Sequence, residues 1–134
     1  MTVYLTRSDL ADLRNLFRDG DEEVRLQAVR RFAVEPPDAD DRADVLDLLI
    51  EIMGDESWQV RKEAVSAALA WTDTHLLADK LVTAMSEPDD IGRRNAVIEG
   101  VIKLGAICID YVLRDLAKKP DYRKVLVDVL GTFG

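Results

Sequence analysis

Histidine and cysteine are almost absent from this 134-residue chain, which contains one of each, His75 and Cys108. A multi-thiolate zinc site, an internal disulfide framework and a two-histidine metal centre are therefore excluded. Apolar runs are short, about five residues at most, whereas a membrane span needs roughly 20. The start of the chain also lacks the apolar core of a signal peptide, so we expect a cytoplasmic protein.

Positive charge is also in short supply. The chain has 18 basic and 26 acidic residues, for a formal net charge of −8. A nucleic-acid binder needs clustered cations to displace counterions from phosphates, and an anionic membrane likewise attracts cations. We therefore expect no nucleic-acid or membrane partner. Residues 19–56 hold 13 acids and 4 bases, whereas residues 91–134 hold 5 acids and 8 bases. A cationic partner is expected to prefer the N-terminal part.

Four segments of the chain resemble one another. Each has an arginine, then a small or apolar residue three positions later, followed at once by valine; the four begin at Arg25, Arg61, Arg93 and Arg123. Their spacings of 36, 32 and 30 residues are typical of stacked helical repeats in which the loops absorb differences in length.

Apolar residues recur at helical spacing along the chain, and no segment has the pattern of a strand. In one example, Val60, Ala64, Ala67 and Trp71 share a helix face. We predict eight helices, at 7–19, 21–34, 42–54, 57–71, 74–86, 90–104, 106–118 and 121–131. Each repeat therefore consists of a helix, a loop and a second helix.

The repeated motif resembles the HEAT repeat, in the short bacterial form named after phycobilisome lyases. Asp21-Glu-Glu-Val24-Arg25-Leu-Gln-Ala28 matches its Asp-x-x-Val-Arg-x-x-Ala pattern, and the later copies depart from it, for example at Gly92. The resemblance implies an all-α, right-handed α-solenoid of about three and a half helical hairpins, forming one domain over residues 1–134. It also implies a non-catalytic scaffold for protein–protein interactions, without a cofactor.

In that family the motif aspartate and arginine join successive repeats through hydrogen bonds. The resemblance therefore implies a ladder made of Asp21, Arg25, Asp55, Arg61, Asp89, Arg93 and Arg123. A row of arginines that binds a phosphate or an acidic ligand is the alternative. The three aspartates also stand where helix N-caps are expected, and Gly20 and Gly54 suit the left-handed position after a helix.

The second helices of HEAT repeats line the concave face of the stack. Their polar positions here are Asp44, Asp47, Glu51, Asp79, Thr83, Asp110, Arg114 and Lys118. The first three are spaced to form one acidic row along a helix. This row is either a solvated helix face or a docking groove for a basic or amphipathic segment of a partner protein.

Few residues could support chemistry. His75 has no second histidine or cysteine nearby and is interpreted as a solvent-facing or capping residue. Cys108, between two isoleucines, is interpreted as a buried small residue rather than a nucleophile. Trp58 could be exposed at a helix start and contact a partner, whereas Trp71 is expected in the core. An enzyme-associated module, such as a lyase-type or chaperone-like subunit that binds a cofactor-bearing protein, is an alternative function. A HEAT-like DNA glycosylase is disfavoured by the acidic charge.

Two features at the margins of the repeats remain open. The loop 35–42 is either a recognition loop or a tolerated insertion. The last predicted helix has no partner helix, so the natural protein is expected to continue into a longer array, to self-associate through that end, or to bind a partner there.

Overall fold

The structure is a computed structural model and describes residues 7–35, 37–70, 74–85, 91–118 and 123–132. These residues form eight α-helices, and the only other regular elements among them are two 3-10 turns, Ala39–Asp41 and Ala106–Cys108. The helices are α1 (Arg7–Asp19), α2 (Glu22–Val34), α3 (Arg42–Ile52), α4 (Trp58–Leu69), α5 (Thr74–Met85), α6 (Ile91–Leu104), α7 (Ile109–Lys118) and α8 (Arg123–Gly131).

The helices pack as sequential pairs, α1 with α2, α3 with α4, α5 with α6 and α7 with α8. Along the stack, α2 contacts α4 and α4 contacts α6, while α3 contacts α5 and α5 contacts α7. The fold is therefore all-α and has two layers, which we call the first layer (α2, α4, α6) and the second layer (α3, α5, α7).

The core lies between the two layers. The second layer contributes large side chains such as Leu49 and Leu81, which are buried, and the first layer contributes small ones such as Ala64 and Ala68. Small residues in one layer let the helix backbones approach the large side chains of the other. At the N-terminal end, the ring of Phe32 stacks on that of Phe17 with centroids 6.1 Å apart. None of the described helices is long and apolar enough to cross a membrane.

The eight predicted helices are confirmed. Where the predicted end is a described residue, it lies within two residues of the observed end, except at α7, which the 3-10 turn at Ala106–Cys108 precedes. The predicted ends at 71, 86, 90 and 121 lie outside the described residues. The expected left-handed glycines are wrong. Within the described residues only Gly105 has a positive φ, of 91°. Gly20 is needed for a different reason, since an added Cβ would lie 2.4 Å from the Leu16 carbonyl oxygen. A close approach of the backbone, and not its handedness, requires glycine there.

The three motif aspartates differ in whether they cap a helix. Asp21 caps α2 as expected, because its Oδ1 accepts the N–H of Val24 at 3.0 Å. The prediction for Asp55 is wrong, since Ser57 is the N-cap of α4 and its Oγ accepts the N–H of Val60. In the second motif copy four residues separate Asp55 from Val60, where two separate Asp21 from Val24, and this longer spacing brings Ser57 into the cap position. Asp89 and Trp71 lie outside the described residues.

Candidate functional site

Arg25 joins the first two motif copies. Its Nε donates to Asp55 Oδ2 at 2.9 Å and its Nη2 to Asp55 Oδ1 at 3.2 Å, while Nη1 donates to the Gly20 carbonyl at 3.0 Å. The hydrogen bond that Arg25 donates to Asp55 raises the pKa of the Arg25 guanidinium. This guanidinium is held in a part-buried position by groups of the protein itself, so a phosphate would have to displace them.

The other motif arginines differ from Arg25. Nη1 of Arg61 donates to the carbonyl oxygens of Asp55 at 2.7 Å and Glu56 at 3.3 Å, just before its own helix. Arg93 lines a groove between α3 and α5. Arg123 is exposed and forms no hydrogen bond or ion pair with any residue that the structure describes. Among the described residues, the expected ladder thus has one Arg–Asp rung, and its next acidic member, Asp89, lies outside them.

Helix α3 presents the predicted acidic row to solvent, since Asp44, Asp47 and Glu51 are all exposed. A groove of about 630 Å³ separates α3 from α1 and contains these three acids, with Leu48 and Ile52 as apolar lining. Arg14 and Arg18 line its α1 side. The groove therefore combines an acidic wall with apolar residues, as a binding site for an amphipathic segment would.

A second groove, of about 550 Å³, lies on the other side of α3, between it and α5. It shares Asp47 and Glu51 with the first groove and is also lined by Lys80. Nζ of Lys80 lies 2.6 Å from Asp47 Oδ1, so the charge of Asp47 is partly neutralised within the protein. Asp44 and Glu51 form no ion pair with the described residues, and they remain the available acids of the row.

Further along the second layer, Arg114 of α7 binds the predicted residues of α5. Its Nη1 donates to Asp79 Oδ1 at 2.6 Å and its Nη2 to Thr83 Oγ1 at 3.3 Å. The hydrogen bond that Arg114 donates to Asp79 raises the pKa of the Arg114 guanidinium. Its Cζ also lies 5.4 Å from the ring centroid of Tyr111, a cation–π distance. These three predicted site residues therefore bind one another.

Two further polar residues of this layer are absent from the sequence prediction. Lys80 pairs with Asp47, and Asp115, which is buried, accepts a hydrogen bond from Arg114 Nε at 2.9 Å through Oδ1. Their signals in the sequence are faint. Lys80 follows Asp47 by about one repeat, and Asp115 follows the buried Val112 by three residues on the same helix face. The remaining predicted residues of α7, Asp110 and Lys118, are exposed.

The structure shows the surroundings of the residues that could support chemistry or contact a partner. Cys108 is fully buried, as predicted, and burial raises the pKa of its thiol to about 11, which disfavours the nucleophilic thiolate. His75 is exposed near the start of α5, and its Nδ1 lies 3.2 Å from the hydroxyl of Tyr111. Trp58 is 62% exposed at the first position of α4. The described residues contain no cluster of three or more potential metal ligands.

The two-layered stack of helical hairpins, tied by an arginine of one repeat and an aspartate of the next, defines an α-helical repeat protein. The family model for HEAT repeats matches residues 10–102, which run from α1 into α6. The chain therefore belongs to the HEAT-repeat family. HEAT repeats typically mediate protein interactions and are usually non-catalytic. No curated protein and no solved structure matched the chain.

Proposed function

We propose that this protein is a non-catalytic interaction module that binds a basic, amphipathic segment of a partner protein along α3. The observation that carries the proposal is the position of Asp44 and Glu51. Both are exposed, neither is paired with a described residue, and Glu51 lines both grooves that flank α3. A segment lying on α3 would meet carboxylates along its length.

The chemistry of the two grooves supports an amphipathic partner over a purely cationic one. Leu48 and Ile52 line the groove towards α1, and Ile50 and Ala84 line the groove towards α5. Apolar contacts would supply affinity, and the carboxylates would orient the segment and accelerate its association. Asp79, Thr83 and Arg114 would act mainly by holding α5 and α7 in place, whereas Asp110 and Lys118 would extend the surface.

The motif supports one finer assignment within this proposal. The Asp-x-x-Val-Arg-x-x-Ala pattern at Asp21 to Ala28 favours the short bacterial type of repeat named after phycobilisome lyases. The exposed acids, and not the repeat type, define the proposed partner.

A synthetic probe tests this function. The probe is a 14-residue amphipathic helical peptide with leucines on one face and lysines on the other, and its glutamate counterpart is the control peptide. The lysine peptide should bind the wild type, and Asp44→Lys/Glu51→Lys should weaken that binding at least tenfold, about 1.4 kcal/mol. Isothermal titration calorimetry at two salt concentrations measures both effects.

A matched variant separates a site from general attraction. Asp12→Lys/Asp40→Lys makes the same change in net charge at two exposed residues that line neither groove. It should retain nearly all of the affinity. Equal losses in the two double variants would mean that the peptide responds only to net charge, and the proposed site on α3 would then be wrong.

A further inference from the structure

Trp58 is a large aromatic residue left open to solvent on a part of the molecule that the proposed function does not use. It is the first residue of α4 and belongs to the first layer, whereas the proposed binding row lies on the second. With 62% of its surface exposed, Trp58 is the one aromatic residue among the exposed large apolar side chains that the structure describes. Tryptophan is enriched where proteins bind one another.

The local structure fixes this position. Ser57 caps α4, and its Oγ also donates to Glu22 Oε1 at 2.9 Å. That bond ties the start of α2 to the start of α4 and holds a carboxylate next to the residue that precedes Trp58. The tryptophan therefore stands on a helix end that two hydrogen bonds immobilise, which lowers the entropy cost of binding to it.

A depression of about 630 Å³ lies beside the indole, and its lining is acidic. Asp21, Glu22 and Glu56 line it together with Trp58. The one cation in the lining is Arg25, whose side chain is only 11% exposed and is bonded to Asp55. Glu56 Oε1 lies 3.5 Å from Arg25 Nη2, but the side chain of Glu56 is 89% exposed and its other oxygen is open to a partner. The charge that a partner would meet here is negative.

The opposite side of the indole has a different character. A smaller depression of about 340 Å³ between α2 and α4 is lined by Trp58 and by the buried Leu26. Arg30 and Glu63 also line it and form an ion pair with each other at 3.3 Å. Lys62 lines it as well, so this depression holds two cations and one acid. Trp58 thus separates an acidic depression from a mildly basic one, and an incoming cation would be directed to the acidic side.

We propose that Trp58, Glu22 and Glu56 form a second docking surface, which takes a cationic side chain, arginine or lysine, from a partner protein. The cation stacks on the indole face, where the ring quadrupole attracts it, and the two carboxylates accept its N–H groups. The charge complementarity of the depression selects this occupant over an acidic or apolar segment. The surface is independent of the row on α3.

The test uses nuclear magnetic resonance of the indole N–H groups of the full chain. The probe is the peptide acetyl-(Gly-Arg)₄-amide, and the controls are its Gly-Glu and Gly-Gln counterparts. Trp58→Phe assigns the Trp58 signal against that of Trp71, the second tryptophan of the chain. The arginine peptide should shift the Trp58 signal saturably, and the two control peptides should not.

Two variants with equal loss of charge complete the test. Glu22→Gln/Glu56→Gln should weaken the response of Trp58 at least fivefold, whereas Asp44→Asn/Glu51→Gln, on α3, should leave it within twofold. Circular dichroism establishes that both remain folded. No saturable shift in the wild type, or equal weakening in both variants, would overturn the proposal without touching the proposed function. Conversely, if the leucine–lysine peptide failed to bind α3, the proposed function would be wrong and the surface at Trp58 would be unaffected.

Discussion

Arg25 and Asp55 form a two-bonded ion pair across 30 residues of sequence, with side chains that are 11% and 15% exposed. The pair connects the start of α2 to the turn before α4. Asp55 also accepts the N–H of Ser57 at 2.9 Å, so one carboxylate organises both the contact between repeats and the approach to the next helix. Such a part-buried, bidentate pair is expected to contribute more to stability than an exposed one.

A double-mutant cycle on Arg25 and Asp55 tests that expectation. Arg25→Ala and Asp55→Ala should each lower the free energy of unfolding by about 2 kcal/mol, because each leaves a part-buried partner without its bonds. The coupling energy should be about 1–2 kcal/mol. The matched cycle on the more exposed pair Arg30–Glu63 should give at most about 0.5 kcal/mol. Urea denaturation measures both, and equal coupling energies would contradict the structural distinction.

Gly20 should not tolerate a side chain. In Gly20→Ala the new Cβ would lie 2.4 Å from the Leu16 carbonyl oxygen and 2.6 Å from Val24 Cγ1, so the junction of α1 and α2 must shift. We expect a loss of about 1–3 kcal/mol in the free energy of unfolding. Gly131→Ala, where nothing lies within 4 Å, is the control and should change stability by less than about 1 kcal/mol. Thermal unfolding of the two variants measures the difference, and equal melting temperatures would contradict the prediction.

The Cys108 thiol should make stability fall in alkaline solution. Its pKa is raised from 9.0 to about 11 by burial, so between these values the unfolded chain loses the proton while the folded chain keeps it. Unfolding then releases a proton, and the free energy of unfolding decreases as pH rises through this window, by about 2 kcal/mol at its upper end. Below pH 9 the contribution is constant.

Cys108→Ala isolates this contribution from other groups that titrate in the same range. Its free energy of unfolding should fall less steeply between pH 9 and 11 than that of the wild type, whatever the effect of the substitution at pH 7. Urea titrations at several pH values give the two slopes. Parallel slopes would show that the thiol is not the group responsible.

Asp115 depends on Arg114 for its charge balance. Its side chain is 5% exposed, its Oδ1 accepts from Arg114, and its Oδ2 has no hydrogen-bond partner among the described residues. Arg114→Leu would leave this carboxylate buried without its cation, and we expect a loss of about 3 kcal/mol in the free energy of unfolding. Arg114→Leu/Asp115→Leu should recover a large part of that loss, and a double variant less stable than the single one would refute the argument. Urea denaturation measures all three proteins.

The sequence predicted the helices well because apolar spacing is a local property of each segment. The stripes that include Val60 and Ala64, or Leu77 and Leu81, lie on buried faces, and the repeat period places successive helices in the same layer. Details at the helix ends were harder. Ser57 competes with Asp55 for the cap of α4, and the motif alone does not show which of them has the extended backbone of a cap.

The sequence predicted the site as a set of exposed polar positions. It did not predict which of these residues bind one another. Asp79, Thr83 and Arg114 come from helices about one repeat apart, so their bonds depend on the distance between α5 and α7 and on the side-chain conformations. Neither is encoded in the spacing along one helix. Lys80 was missed for the same reason, since its partner Asp47 lies on α3. Asp44 and Glu51 on α3, and Asp110 and Lys118 on α7, keep both the predicted exposure and a charge that is not paired with any described residue.

Ion pairs between successive repeats lie on both layers of the stack. Arg25–Asp55 and Arg30–Glu63 connect the first layer, and Lys80–Asp47 and Arg114–Asp79 connect the second. Bending towards one layer would lengthen the ion pairs of the other layer. The ion pairs therefore oppose bending in both directions. We therefore expect the described stack to keep its curvature on binding, so that a flexible partner would bear most of the ordering cost of a complex.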